Sequence, residues 1–230
     1  MVHFTLFGIP VYIRPSFWVV LAIFGGALSI SSVEDLIYPA LFVIAGFVAI
    51  LSHEMGHALV GRKLGGGQQT IVLELFGGLT SSHGMQLTHG GRALMILAGP
   101  MMTLLLGIIS LWLTWNIVAP VMTSYNLNFW DLAISPFTAA LISPKLYILS
   151  CLIMIGEWWT ILNLLPIYPL DGGQLIAQYI RSPRKVFMTG FITAILIGLL
   201  SFQLFHGYFI PIFMALFAYS NYREYKNAPF

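Results

Sequence analysis

Residues 40–51 form an uncharged apolar run that leads straight into Ser52-His53-Glu54-Met55-Gly56-His57. His53 and His57 stand four residues apart, so on a helix both imidazoles project from one face. Two imidazoles so placed hold one Zn²⁺ at roughly 2.0–2.1 Å each. Glu54 adjoins the first of them, where it can serve a water molecule as general base. The pattern H-E-x-x-H is short and recurs by chance in soluble helices. This copy differs because it lies near the end of an apolar helix. As packing groups alone, the two histidines would leave Glu54 an unpaired carboxylate in hydrocarbon, a costly arrangement.

Composition sets the medium. The 230 residues are 58% hydrophobic and 8% charged, and mean hydropathy is +0.88. Soluble domains carry about 25% charged residues. The expected fold is therefore an all-α polytopic membrane protein, built as a single domain over residues 1–230. The net charge of +2 is too small to point to nucleic acid. Cys151 is the sole cysteine, so an internal disulfide is excluded, and its apolar setting marks it as a packing residue. No small-x-small cleavage site follows a short apolar core near Met1, so no cleavable signal is expected.

Taken in order, His3 to Ile13 reads as a short strand or interfacial segment, broken by Gly8 and Pro10. Helices are expected over about 16–30, 36–61, 92–117, 146–165, 186–202 and 207–221, giving about six transmembrane helices. The second carries the histidines and ends at Arg62, Lys63 and a triple glycine. Thr70–Phe76 reads as a strand, and Gly77-Gly78 and a polar stretch with His83 and His89 follow it. Short membrane-associated strands are thus expected near the N-terminus and between the second and third helices. Gly99-Pro100 marks a kink and a close helix contact in the third. Residues 118–145 read as a longer connection with an interfacial segment. After Glu157 and Asn163, Pro166 and Pro169 interrupt the fourth helix just before Asp171-Gly172-Gly173. Irregular backbone at membrane depth requires cover from protein or a water-filled cavity.

The basic residues orient the chain. With six spans, Arg14, Arg62, Lys63, Arg92, Arg181, Arg184, Lys185, Arg223 and Lys226 share one side, nine of the ten Lys and Arg. Only Lys145 lies opposite, with Glu34, Asp35 and Asp131. The positive-inside rule makes the first side, which holds both termini, cytoplasmic.

A catalytic zinc site needs a third protein ligand. Glu157 and Asp171 are the acids in apolar context. His57 and His53 lie roughly 7–14 Å along their helix from Arg62, at 1.5 Å per residue. Asp171 precedes Arg181 by a similar length of chain, whereas Glu157 lies deeper or nearer the opposite side, so depth favours Asp171. Each such group costs about 2.5–3.5 kcal/mol at a helix centre. A divalent metal compensates several together, and Glu157 is left either as a protonated or hydrogen-bonded buried acid between helices or as a group on a water or substrate path.

His53-Glu54-x-x-His57, Gly99-Pro100, and Asn163-x-x-Pro166-x-x-Pro169-Leu170-Asp171-Gly172 together resemble the site-2 protease family of intramembrane zinc metalloproteases. The N-terminal strand, the Phe76-Gly77-Gly78 turn and the helix count extend the resemblance over most of the chain. It implies that one Zn²⁺ per chain is held by His53, His57 and Asp171, with Glu54 as the catalytic acid/base. It gives Asn163 a contact with substrate or site, with Gly99, Pro100, Pro166 and Pro169 as support. Thr103 departs from the family's asparagine three residues after Gly-Pro, which puts a polar inter-helix contact there in question. No PDZ or CBS domain, such as many relatives carry, is expected within residues 1–230.

The expected reaction is hydrolysis of a peptide bond in or near the transmembrane helix of a single-span substrate, releasing a cytoplasmic fragment, in the cell membrane of a prokaryote. An unwound substrate would pair with the Thr70–Phe76 strand. The alternative is a membrane metal carrier or metal sensor using the same His/Asp cluster. That reading needs a polar path, which residues 186–221 barely offer, and leaves Glu54 without a task. A metal oxidase or desaturase needs more well-placed histidines than the six present.

Overall fold

The computed structural model describes residues 1–75, 77–120 and 128–228. The chain forms two compact units, Met1–Thr160 and Ile161–Phe230. The fold is mostly helical, with one small sheet.

The first unit opens with a hairpin of β1 (Val2–Leu6) and β2 (Ile9–Ile13). Phe7 and Gly8 both have positive φ, the backbone of a tight hairpin turn whose twist suits the strands. Arg62 Nη1 donates to the Phe7 carbonyl at 2.7 Å and ties that turn to the end of the histidine helix. Then come α1 (Pro15–Phe24) and α2 (Ile37–Gly65), followed by β3 (Gln68–Glu74) and β4 (Gly77–His83). The sheet order is β1-β2-β3-β4, with β2 and β3 parallel and the outer pairs antiparallel. Ile9, Val11 and Ile13 alternate inward along β2, as do Ile71 and Leu73 along β3. They join Phe17 of α1 and Ile50, Leu51, Met55 and Ala58 of α2 in one apolar core. The sheet is thus packed through its apolar face onto the helix that carries the histidines.

The topology corrects one expectation. β3 lies between β2 and β4, so Thr70–Phe76 is no free edge for a substrate strand. Backbone pairing capacity lies instead on the outer strands β1 and β4. Phe76 lies outside the described residues.

Thr88 caps α3 (His89–Val118), its hydroxyl accepting from Gly91 N at 3.1 Å. Pro100 sits inside α3. α2 and α3 approach closely at Gly56, where a Cβ would strike the Ala98 carbonyl. Of the connection expected over 118–145, residues 121–127, with Asn126, lie outside the described residues. The rest holds α4 (Phe129–Ile134) and α5 (Pro136–Ala140). α6 (Pro144–Asn163) closes the first unit and enters the second.

The second unit continues through an irregular stretch to α7 (Asp171–Tyr179), α8 (Pro183–Phe205) and α9 (Phe209–Asn227). Its core gathers Ile167, Ala194, Met214 and Ala218.

Among the described residues, four helices are long and apolar enough to cross a membrane: α2, α3, α6 and α8. The first expected helix is shorter than its apolar run: α1 ends at Phe24, where Gly25 and Gly26 stop it. Its 10 residues span about 15 Å, half of a ~30 Å hydrocarbon core.

Candidate active site

The first unit supplies a pair of imidazoles and a carboxylate. On α2, His53 Nε2 and His57 Nε2 face each other at 3.1 Å. Tetrahedral zinc with bonds of about 2.05 Å sets its ligand atoms about 3.3 Å apart, so this spacing suits a shared metal. His57 Nδ1 lies 2.8 Å from the Met95 carbonyl on α3. A carbonyl only accepts, so Nδ1 carries the proton and Nε2 keeps its lone pair outward. Gly99, one turn after Met95, faces both rings. A Cβ there would collide with the His57 ring and crowd His53 Nε2. The bare backbone therefore leaves open the space in front of both nitrogens.

Glu54 is 5% exposed. Thr80 of β4 donates to its Oε2 at 2.7 Å and lies 3.2 Å from its backbone carbonyl. β4 starts between two groups of this unit: a Cβ at Gly78 would strike the Glu54 carboxylate, and one at Gly77 the Trp159 ring. Trp159 of α6 also meets His53 edge to face, with centroids 6.4 Å apart. The sheet thus brings its outer strand against the histidine helix and fixes the Glu54 side chain.

Pro100 has no N–H to give to the Ile96 carbonyl, and its own carbonyl is approached by the Thr103 and Thr160 hydroxyls. Thr103 lies 3.0 Å from the Pro100 carbonyl and 2.8 Å from the Thr160 hydroxyl on α6. Thr103 therefore makes the polar contact between helices that the sequence left in question.

The second unit carries Asp171, 5% exposed, at the first position of α7. There the helix dipole favours negative charge. Pro166 and Pro169 lie in the stretch before it, and the Tyr168-Pro169 peptide is cis. That irregular backbone is satisfied partly by local backbone bonds and partly by side chains. Ile167 N donates to the Leu165 carbonyl and Leu170 N to the Ile167 carbonyl. Gln174 Nε2 serves the Pro169 carbonyl at 2.9 Å and Asn221 Nδ2 the Tyr168 carbonyl at 2.7 Å. Asn163 is buried at the end of α6. Glu157, the other acid weighed as a ligand, is exposed beside Leu104, Gly107, Ile108 and Leu111. It is not the buried acid the sequence reading expected. His83 and His89 are exposed.

Of the sequence-predicted residues, His53, Glu54, His57, Gly99 and Pro100 are brought together around α2 and α3. Asp171, Asn163, Pro166 and Pro169 share the second unit. His53, His57 and Asp171 are each buried, and each offers one ligand atom of a kind that zinc takes. Sequence reasoning missed Thr80, Met95, Trp159, Gln174 and Asn221. The Gly77-Gly78 pair was the one signal of a strand pressed against another group.

Comparison with known proteins bears on this chemistry. A family model described as peptidase family M50 matches residues 41–205. A protein of Methanocaldococcus jannaschii named as a zinc metalloprotease is 29% identical over 227 residues, 94% of this chain and 57% of that protein. A relative from Synechocystis is 28% identical over 188 residues, 76% of this chain and 43% of its own length. The chain thus spans about half the length of the curated relatives it matches. A solved structure of a site-2 protease from Methanocaldococcus jannaschii superposes with a TM-score of 0.61 at 24% identity, over 97% of this chain and 94% of that one. At that identity the likeness is one of fold.

Proposed function

The chain belongs to peptidase family M50, the site-2 protease family, and on that premise we propose that it is a zinc metalloprotease cutting a peptide bond in or near the transmembrane helix of a membrane-protein substrate. The observation that carries this reading is the His53–His57 pair, 3.1 Å apart, with Glu54 held beside it by Thr80. We assign Asp171 as the third ligand. Its burial, its place on the first turn of α7 and the family motif that contains it support that assignment. When bound, zinc supplies a Lewis acid and brings the pKa of water toward 7.

The chain's own residues do the rest. Met95 holds the His57 tautomer that presents Nε2. Thr80 engages Glu54 Oε2 and so orients the carboxylate, which takes a proton from water and passes it to the leaving amine. Gly78 gives that carboxylate room. A helical substrate hides its carbonyls in its own hydrogen bonds and must unwind to be cut. The outer edge of β4, adjoining Glu54 through Thr80, is the surface we assign to the extended segment.

The protein is an integral membrane protein. The finer topology is part of the proposal: α1 together with the short helical turn Ala27–Ser29 that extends it forms one further pass and α9 another, six in one protease domain, with both termini on the cytoplasmic side bearing nine of the ten basic residues. Substrates are single-span proteins whose cytoplasmic part is the product. The test is cleavage of a single-span reporter in proteoliposomes. Wild-type protein should cut it and phenanthroline should stop the reaction. Undiminished cutting by a metal-free preparation would refute the zinc reading.

A further inference from the structure

α9 carries one fully buried amide. Asn221 is 1% exposed, on a helix whose inward residues are otherwise apolar, Met214 and Ala218 among them. Its Nδ2 donates to the Tyr168 carbonyl at 2.7 Å and to the Phe217 carbonyl at 2.9 Å, so both amide hydrogens are used on backbone. Phe217 is one turn earlier on the same helix. The bond to Tyr168 reaches across 53 residues into the irregular stretch three residues before Asp171.

The space for this contact is made on α8. A Cβ at Gly190 would collide with Asn221 Oδ1 and come within 3.3 Å of Tyr168 N. Asn221 Oδ1 has no hydrogen-bond partner among the described residues. A buried amide with its oxygen unserved is a poor packing group, and leucine would fill similar volume without that penalty. The feature that accounts for it is the Tyr168 carbonyl, which lies outside regular helix and needs a donor in an apolar surrounding.

We infer that Asn221 is a positioning residue: through the Tyr168 carbonyl it fixes the stretch leading into α7, and so fixes the Asp171 carboxylate as a zinc ligand. This rests on the assignment of Asp171 made above. Gly190 is its counterpart, the position that must stay without a side chain for the amide to fit.

The test is zinc affinity of the purified full chain, by competition with a fluorescent chelator, alongside the unfolding temperature of the zinc-free protein. Asn221→Leu should weaken zinc binding about tenfold or more, the range seen when groups orienting a ligand are lost. Gly190→Ala should do the same from the opposite side of the contact. Ser201→Ala is the control: it removes a buried hydrogen bond within α8, 2.9 Å to the Gly198 carbonyl, away from the stretch. Its zinc affinity should match wild type at whatever change in unfolding temperature it causes. Asp171→Asn, measured in parallel, separates the two claims. Loss of zinc in Asp171→Asn with wild-type affinity in Asn221→Leu and Gly190→Ala overturns the positioning role alone. Wild-type affinity in Asp171→Asn overturns the ligand assignment, and the positioning role with it.

Discussion

At the scale of single residues, the site divides by sequence distance. His53, Glu54 and His57 were legible because one helical turn brings them together, and helix periodicity can be read from sequence. Their supports were not. Thr80 is 26 residues from Glu54 and Met95 is 38 from His57, and only the folded sheet and the α2–α3 packing unite them. No local pattern distinguishes Thr80 from Ser81 or Ser82. The hydroxyl of Thr80 nevertheless has a task that can be measured. Thr80→Val keeps the shape and removes a hydrogen bond to a carboxylate, worth about 1.5–3 kcal/mol. If that bond acts mainly in the transition state, kcat should fall about tenfold or more with KM unchanged. Zinc content should stay at wild type, and Thr80→Ser should recover most of the rate. An equal loss of zinc and rate would instead make Thr80 a part of the metal site.

At the scale of elements, the long apolar helices were read well because hydropathy alone announces them. The strands were read in part. β3 alternates inward and outward, and the sequence showed it. β4 begins Gly-Gly and continues through Leu, Thr and Ser without an apolar alternation, so it was read as a polar stretch. With it went the edge of the sheet, which moves the expected substrate contact from β3 to β4. Photocrosslinkers placed along Gly77–His83 should therefore capture a substrate segment, and one at Val72 on β3 should not. Capture at Val72 alone would return the contact to the inner strand. Helix packing makes a second expectation. Gly99 faces both imidazoles, while a Cβ at Gly107, two turns further along α3, meets nothing within 4 Å. Gly99→Ala should reduce zinc content and abolish cleavage, whereas Gly107→Ala should leave both unchanged. The measurement is zinc per chain with reporter cleavage. Full activity in Gly99→Ala would show that the space before the rings is not used by metal.

At the scale of the whole molecule, composition pointed to the medium and charge asymmetry supports the proposed direction, but glycine placement decided lengths. The apolar run from residue 16 to 30 looked like a full span, and Gly25-Gly26 cut α1 short. The charge pattern still carries a consequence. His53 and His57 lie roughly 7–14 Å from Arg62 along α2, on the side rich in Lys and Arg, so the cut should fall in the cytoplasmic half of a substrate span. Terminal sequencing of the released fragment checks this, and a cut in the outer half would overturn the orientation. In the proposed site His53, His57 and Asp171 hold the metal, and Glu54 moves the proton. Zinc per chain and reporter cleavage, measured together on four variants, test it most directly. His53→Ala, His57→Ala and Asp171→Asn should each lose both zinc and cleavage, while Glu54→Gln should keep its zinc and lose cleavage. Cleavage surviving in Glu54→Gln, or full zinc and activity in Asp171→Asn, would contradict it.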